Sequence, residues 1–182
     1  MIKISTPLTK DIVKMLTAGD RVLISGYLYT ARDAAHRRIT EALARGEELP
    51  FDIKDQIIYY AGPAPAKPGD VIGSCGPTTS GRVDIYTPRL IELGLSGMLG
   101  KGERSDAVVQ AMKAHTAVYF AAVGGAGALI AQCVTAAEPV AYADLGAEAI
   151  VRLTVRDLPA VVVIDSNGGN AYVDGKAEYR KI

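Results

Sequence analysis

Charge of neither sign is in excess in this chain: 20 Lys and Arg face 20 Asp and Glu among 182 residues, a net charge of zero. That balance argues against a nucleic-acid surface and against a cationic face for membranes, since both need a surplus of Lys and Arg. It leaves room for a small anion held by a few converging cations. Cysteine is scarce. Cys75 and Cys133 stand alone with no Cys-x-x-Cys spacing, so no disulfide framework is expected and a reducing cytoplasm is. Long apolar runs are also missing, and without 18 consecutive apolar residues no membrane-spanning helix is expected. Residues 1–6 have no apolar stretch leading to a cleavage site, so no signal peptide is expected either. Repeats and low-complexity tracts are absent.

What is present is globular. Hydrophobic residues make up 49% and charged residues 22%, and 182 residues suit one domain with a real core. Zero net charge with this apolar content favours association, so self-association is expected. The patterning is mixed α/β. An amphipathic helix is expected over 8–16, with Ile12, Val13 and Leu16 on one face, then a branched and aromatic strand over 21–30. A helix follows over 33–45, with Ala35, Ile39 and Leu43 inward and Gly46 as its stop. Strands are expected over 56–61 and 69–74, separated by the proline-rich loop 62–69. The stretch 81–94 reads as one or two short helices, with Thr87-Pro88 as an N-cap and first-turn pair. A glycine-rich turn over 97–102 leads to a helix over 105–114. A buried strand over 117–123 and a small helix come next. Further strands are expected over 140–143, 150–155 and 161–165, and 171–175 reads as a closing strand and turn.

The stretch Gly76-Pro77-Thr78-Thr79-Ser80-Gly81-Arg82 lies between an expected strand and an expected helix. Two readings stand. Hydroxyls and glycine before a helix are ordinary capping chemistry. The free N–H groups and dipole of a helix start also attract an anion. Thr78 and Arg82 are four apart, so on one helical turn they share a face, where a hydroxyl and a guanidinium can hold a carboxylate or phosphate. Arg32 precedes the 33–45 helix, where a cation is unfavourable unless something anionic sits beside it. Asp33 is a helix-start residue. His36 is either a general acid–base group or a hydrogen-bonded helix histidine. Lys101, between Gly100 and Gly102, lacks P-loop spacing; it is either a ligand contact or a surface turn. Gly124-Gly125-Ala126-Gly127 misses the dinucleotide fingerprint and is read as close packing. Arg32, the Thr78/Arg82 pair and Lys101 all fall at strand ends or in the turns after them. Such ends gather at one edge of α/β folds, and three cations with a hydroxyl suit a small dicarboxylate.

Five ordered motifs carry a resemblance: residues 30–36; Ile58-Tyr59-Tyr60-Ala61-Gly62-Pro63; residues 76–82 with Asp84 and Tyr86-Thr87-Pro88; Gly100-Lys101-Gly102; and residues 121–129. With them the chain resembles, over nearly all its length, the β subunit or C-terminal part of class I iron–sulfur fumarate hydratases and the related L-tartrate dehydratases. The resemblance implies a single swivelling β/β/α domain over 1–182. It implies an α subunit carrying a 4Fe-4S cluster on three cysteines, whose fourth iron binds the substrate hydroxyl. Two separate cysteines cannot supply three, so no metal ligand is expected in this chain. By motif, Thr78 would be the base that removes the carbon-bound proton, and Arg32, Arg82 and Lys101 would bind the carboxylates of a C4 dicarboxylate. His36 is the further candidate. The implied activity is reversible hydration of fumarate to (S)-malate. L-tartrate dehydration and a non-catalytic, anion-binding regulatory subunit are the alternatives.

Overall fold

The computed structural model describes residues 1–180. Five strands run parallel, side by side and in chain order: β1 (Ile2–Ser5), β2 (Arg21–Thr30), β3 (Ile57–Tyr59), β4 (Gly97–Gly100) and β5 (Val118–Ala121). Parallel neighbours need crossovers, and helices supply them. These are α1 (Lys10–Lys14), α2 (Asp33–Ala44), α3 (Thr87–Glu92) and α4 (Asp106–His115). After α5 (Gly127–Gln132) come β6 (Val134–Ala141) and the 15-residue β7 (Ile150–Ile164), and α6 (Ala171–Tyr179) ends the fold. Strand β7 lies antiparallel to β2 along Arg21–Thr30 and antiparallel to β5 at its far end. That double pairing closes β2, β3, β4, β5 and β7 into a small barrel, with β1 extending it beside β2 and β6 beside β7. The chain is a single mixed α/β domain.

Alternation along the strands divides the core in two. Ile57 and Tyr59, Leu99, Val118 and Phe120 join one cluster with inward residues of β2 and β7. Ile58, Tyr60, Met98 and Tyr119 face the other way and pack with Ala35 and Ile39 of α2 and Val108 and Met112 of α4. Parallel strands covered on both faces are buried throughout, which is why 56–61 and 117–123 read as continuous apolar runs.

Strand β2 and helices α2 and α4 fall where expected, and the 81–94 stretch is two short helices, a 3₁₀ turn (Ser80–Val83) and α3. Four expectations fail. Residues 69–74 form no strand. Ala64 N donates to Ser74 O and Gly73 N to Ala64 O, so the loop pairs with itself and leaves Val71 47% exposed. Residues 97–100 are not a turn but a fully buried central strand. The expected strands over 150–155 and 161–165 are one strand, carried across a bulge in which Asp157 takes φ 50° and its N–H donates to Ser25 Oγ. Residues 171–175 are helical, because the Asn170 side chain accepts from Tyr172 N and caps α6. Strand β1 and most of β6 carry no separate signal in the sequence.

The glycines of β4 show what misled the turn reading. A Cβ at Gly97 would lie 2.8 Å from Ile57 Cγ1; one at Gly100 would lie 2.8 Å from Tyr60 Cδ2 and would overlap Ser80 Oγ. Both positions are glycine because large side chains cross over them. Gly100→Ala should therefore overpack the domain and cost about 1–3 kcal/mol, lowering Tm by several degrees. Gly175→Ala in α6, where a Cβ meets nothing within 4 Å, should leave Tm unchanged or raised in the same thermal melts.

Candidate functional site

The four parallel strands of the barrel, β2 to β5, end at one rim. Thr30 is level with Tyr59, Tyr59 with Leu99 and Leu99 with Phe120, and Arg32 and Lys101 follow just past the ends of β2 and β4. The 76–82 stretch is stitched into this rim. Thr78 N and Thr78 Oγ1 both donate to Tyr60 O, at 2.7 and 2.8 Å, while Thr78 O accepts from Lys101 N at 3.3 Å. Ser80 N then donates to Lys101 O at 2.9 Å. The backbone of the hydroxyl turn thus bridges the ends of β3 and β4, and Thr78 and Lys101 are direct neighbours. The exposed Lys101 side chain runs beside Gly124, whose Cβ position lies 3.9 Å from Lys101 Cδ.

Thr78 is not a helix cap. The 3₁₀ turn is entered through Thr79, which is extended and makes no side-chain cap bond, and the Thr78 hydroxyl donates to a strand-end carbonyl instead. The same extended backbone undoes the expected shared face of Thr78 and Arg82, because no helical turn contains both. Arg82 is exposed on the 3₁₀ turn and forms no salt bridge among the described residues.

Arg32 sits at the start of α2, and the anion that its position calls for comes from 116 residues away. Its Nη2 is 3.4 Å from Glu148 Oε1, and Glu148 Oε2 accepts from Ala34 N at 2.9 Å. Glu148 thereby serves as the cap that α2 lacks locally. The Arg32 Nε is buried without a partner among the described residues.

His36, one turn into α2, is fully buried. Its backbone N and its Nδ1 both donate to Arg32 O at 2.9 Å, which sets Nδ1 as the protonated nitrogen and leaves Nε2 buried and unpartnered among the described residues. Burial, opposed by the Arg32 carbonyl and reinforced by the Arg104 charge, lowers its pKa to about 4. The ring is neutral near pH 7 and grips the backbone of Arg32.

Beneath the rim lies a polar cluster that sequence reasoning missed. The Arg104 guanidinium is fully buried; its Nε donates to Asp84 Oδ1 at 2.7 Å and its Nη2 to Thr87 Oγ1 at 3.0 Å. It stacks over the rings of Tyr60 and Tyr119 at 5.2 and 5.0 Å. Burial opposes its charge, but Tyr60 and Asp84 outweigh burial and raise its pKa. Tyr119 OH lies 2.8 Å from Ser80 Oγ and donates to Gly102 O, tying the hydroxyl turn to the segment after β4. Arg104 had a legible signal: like Arg32 it is a cation just before a helix start, here that of α4. Glu148 had none.

The neutral, buried His36 makes stability depend on pH. An unfolded His titrates near 6.5 and the folded one near 4, so between those values the unfolded chain binds a proton that the folded chain refuses. Stability is present above pH 6.5 and is lost as pH falls toward 4, by up to about 1.4 kcal/mol per pH unit. Thermal melts over that window should show the loss, and His36→Asn, which keeps a donor for the Arg32 carbonyl but does not titrate there, should flatten it.

Comparison with known proteins adds to this geometry. The family model described as "Fumarase C-terminus" matches residues 1–175. A Methanocaldococcus jannaschii protein, provisionally named L(+)-tartrate dehydratase subunit beta, is 41% identical over 96% of this chain and 93% of its own length. The aerobic class I fumarate hydratase of Escherichia coli is 40% identical over 90% of this chain but only 31% of its own length. The class I fumarate hydratase of Salmonella typhimurium is 43% identical over 84% of this chain and 27% of its length. The chain therefore spans about a third or less of these longer relatives. A match along most of the sequence, at identities above 40%, carries one conclusion: this chain belongs to the fumarase C-terminus family.

Proposed function

We propose that this chain is the β-subunit half of an iron–sulfur hydro-lyase that interconverts fumarate and (S)-malate, with its residues 1–182 forming one swivelling β/β/α domain. The observation that carries the reading is the rim itself, where Arg32 and Lys101 follow the ends of the paired strands β2 and β4 and the backbone joins Lys101 to Thr78, in a family with relatives named class I fumarate hydratase. Arg32, Lys101 and the exposed Arg82 bind the two carboxylates of the substrate. Thr78 takes the carbon-bound proton when malate is dehydrated and returns it when fumarate is hydrated. Its hydroxyl now donates to Tyr60 O, an acceptor that cannot keep the proton. To act as base, Oγ1 turns out of that bond and gives its own proton to solvent before the site closes. The cations stabilise the resulting alkoxide once water is excluded, and the alkoxide takes the carbon-bound proton, which restores the hydroxyl.

The cluster does not fit this chain. Cys75 is buried, burial pushes its thiol up to about 12, and its carbonyl is already taken by Tyr59 OH. Cys133 is also shifted upward by burial. No trio of His, Cys, Asp and Glu among the described residues could hold a metal. These cysteines support the reading that a 4Fe-4S cluster belongs to an α partner and that the active site is shared between the two. Two free cysteines suit a cytoplasmic location, and none of the described helices is long and apolar enough to cross a membrane. L-tartrate is the second substrate reading, favoured by the M. jannaschii relative that matches this chain end to end.

Anaerobic assay of the assembled complex against malate and tartrate tests the function directly. A complex with full cluster content that dehydrates neither would overturn it. In the same assay Thr78→Ala should lower kcat by roughly 10²- to 10⁴-fold, as loss of a general base does. Stability should fall by only about 1 kcal/mol for the lost hydrogen bond. Near-normal kcat would remove Thr78 from the chemistry. Arg32→Ala and Lys101→Ala should each lower kcat/KM by about 10- to 100-fold, the worth of a charge-assisted carboxylate contact. Wild-type kinetics in both would show that neither touches the substrate.

A further inference from the structure

Arg32 is held from three sides. Glu148 takes its Nη2 side at 3.4 Å while anchored by the Ala34 N–H. The chain after β3 is also pressed against the guanidinium and the strap: a Cβ at Gly62 would lie 2.8 Å from Arg32 Nη1, 3.0 Å from its Cδ and 3.0 Å from Ala147 O. His36 grips the backbone carbonyl with two donors. None of these contacts is a side-chain hydrogen bond from the guanidinium among the described residues, and Nε is buried with no partner. The guanidinium is thus confined, with donors left for a ligand.

Glu148 reaches this place through a strap. The 3₁₀ segment Ala143–Glu148, between β6 and β7, lies across α2. Arg38 of α2 forms a two-pronged pair with Asp144, both bonds 2.8 Å, and stacks over Tyr142 at 4.9 Å. The strap ends where Glu148 meets both Arg32 and the first turn of α2.

We infer that Glu148 is a positioning residue that sets the angle of the Arg32 guanidinium for a substrate carboxylate, an inference that rests on reading the rim as a dicarboxylate site. A partly exposed pair such as this one, with side chains 23% and 28% exposed, adds little stability. Its effect lies in orientation, where small misplacements are costly to rate. Glu148 is not a rival occupant of the substrate's place: its Oε1 lies 3.4 Å from Arg32 Nη2, and its Oε2 is committed to Ala34 N.

The test is Glu148→Gln in the assembled complex, because glutamine keeps an oxygen for the Ala34 N–H and removes only the charge facing Arg32. We expect kcat/KM on malate or tartrate to fall roughly 10-fold at unchanged Tm, Glu148→Asp to recover part of it, and Glu148→Gln to add nothing in an Arg32→Ala background. Unchanged kinetics overturn the inference. A lowered KM also overturns it, making Glu148 a competitor for Arg32, as does an equal further loss in the Arg32→Ala background, which marks a purely structural role. If the wild-type complex acts on neither substrate, the functional reading fails, and the inference is then judged by NMR on solvent exchange of the Arg32 Nε–H. Faster exchange in Glu148→Gln supports confinement of Arg32 by Glu148, and unchanged exchange overturns it.

Discussion

Strand β7 hydrogen-bonds to β2 for almost the whole length of β2 and then, at its far end, to β5. A sheet of parallel strands laid down in chain order would otherwise keep two open edges. Pairing β7 with both of the strands that bound β3 and β4 turns the row into a barrel, so four parallel strand ends meet on one rim. The position of Arg32 relative to Lys101 follows from that closure. The same strand carries β6 on its outer side, and the connection from β6 to β7 is the strap that brings Glu148 to α2. One antiparallel strand therefore sets both the rim and the carboxylate beside its first cation.

The rim differs in rigidity from place to place. Under Thr78 and Lys101 the support is buried and charged. The Arg104 side chain is out of contact with water, and a guanidinium there is tolerable only because Asp84, Thr87 and the rings of Tyr60 and Tyr119 meet it. Removing one partner would strand the other, so this floor holds the hydroxyl turn against the end of β4 in one arrangement. Around Arg32 the support is partly wet, a looser ion pair and a neutral histidine. The buried Nε of Arg32 and Nε2 of His36 lie on this side of the rim, and both lack a partner among the described residues. Unsatisfied buried polar atoms are uncommon in folded proteins. Their presence next to the cation read as a carboxylate ligand agrees with a site whose complement comes from outside the chain.

Much of this was legible in the sequence, and the legible parts share a cause. Strand β2 and helix α2 are specified by their own periodicity, with branched and aromatic residues over 21–30 and Ala35 and Ile39 on one helical face. Arg32, Thr78 and Lys101 stood out because each is a polar residue just past a strand end, a local property. The failures were equally consistent. Gly97 and Gly100 look like turn residues until Ile57 and Tyr60 are seen to cross them. Thr78 and Arg82 look like one helical face until the Tyr60 carbonyl draws Thr78 into the strand-end ladder.

The sequence by itself determined the α/β class and the places of β2, β3, β5, α2 and α4, and it singled out Arg32, Thr78 and Lys101 as polar residues past strand ends, because hydrophobic period and strand-end polarity are written within a few neighbouring positions. Only the tertiary structure decided that the sheet closes, that Thr78 is a strand-end hydroxyl and not a cap, that Glu148 lies beside Arg32, and that Arg104 stacks on Tyr60 and Tyr119. Each of those depends on groups distant in sequence: β7 on β2, Thr78 on Tyr60, Glu148 on Ala34 across 114 positions, and Arg104 on Tyr60 across 44. Such pairs leave no periodic trace in the chain, since their energy appears only when folding brings them within hydrogen-bond or stacking distance and removes the water between them.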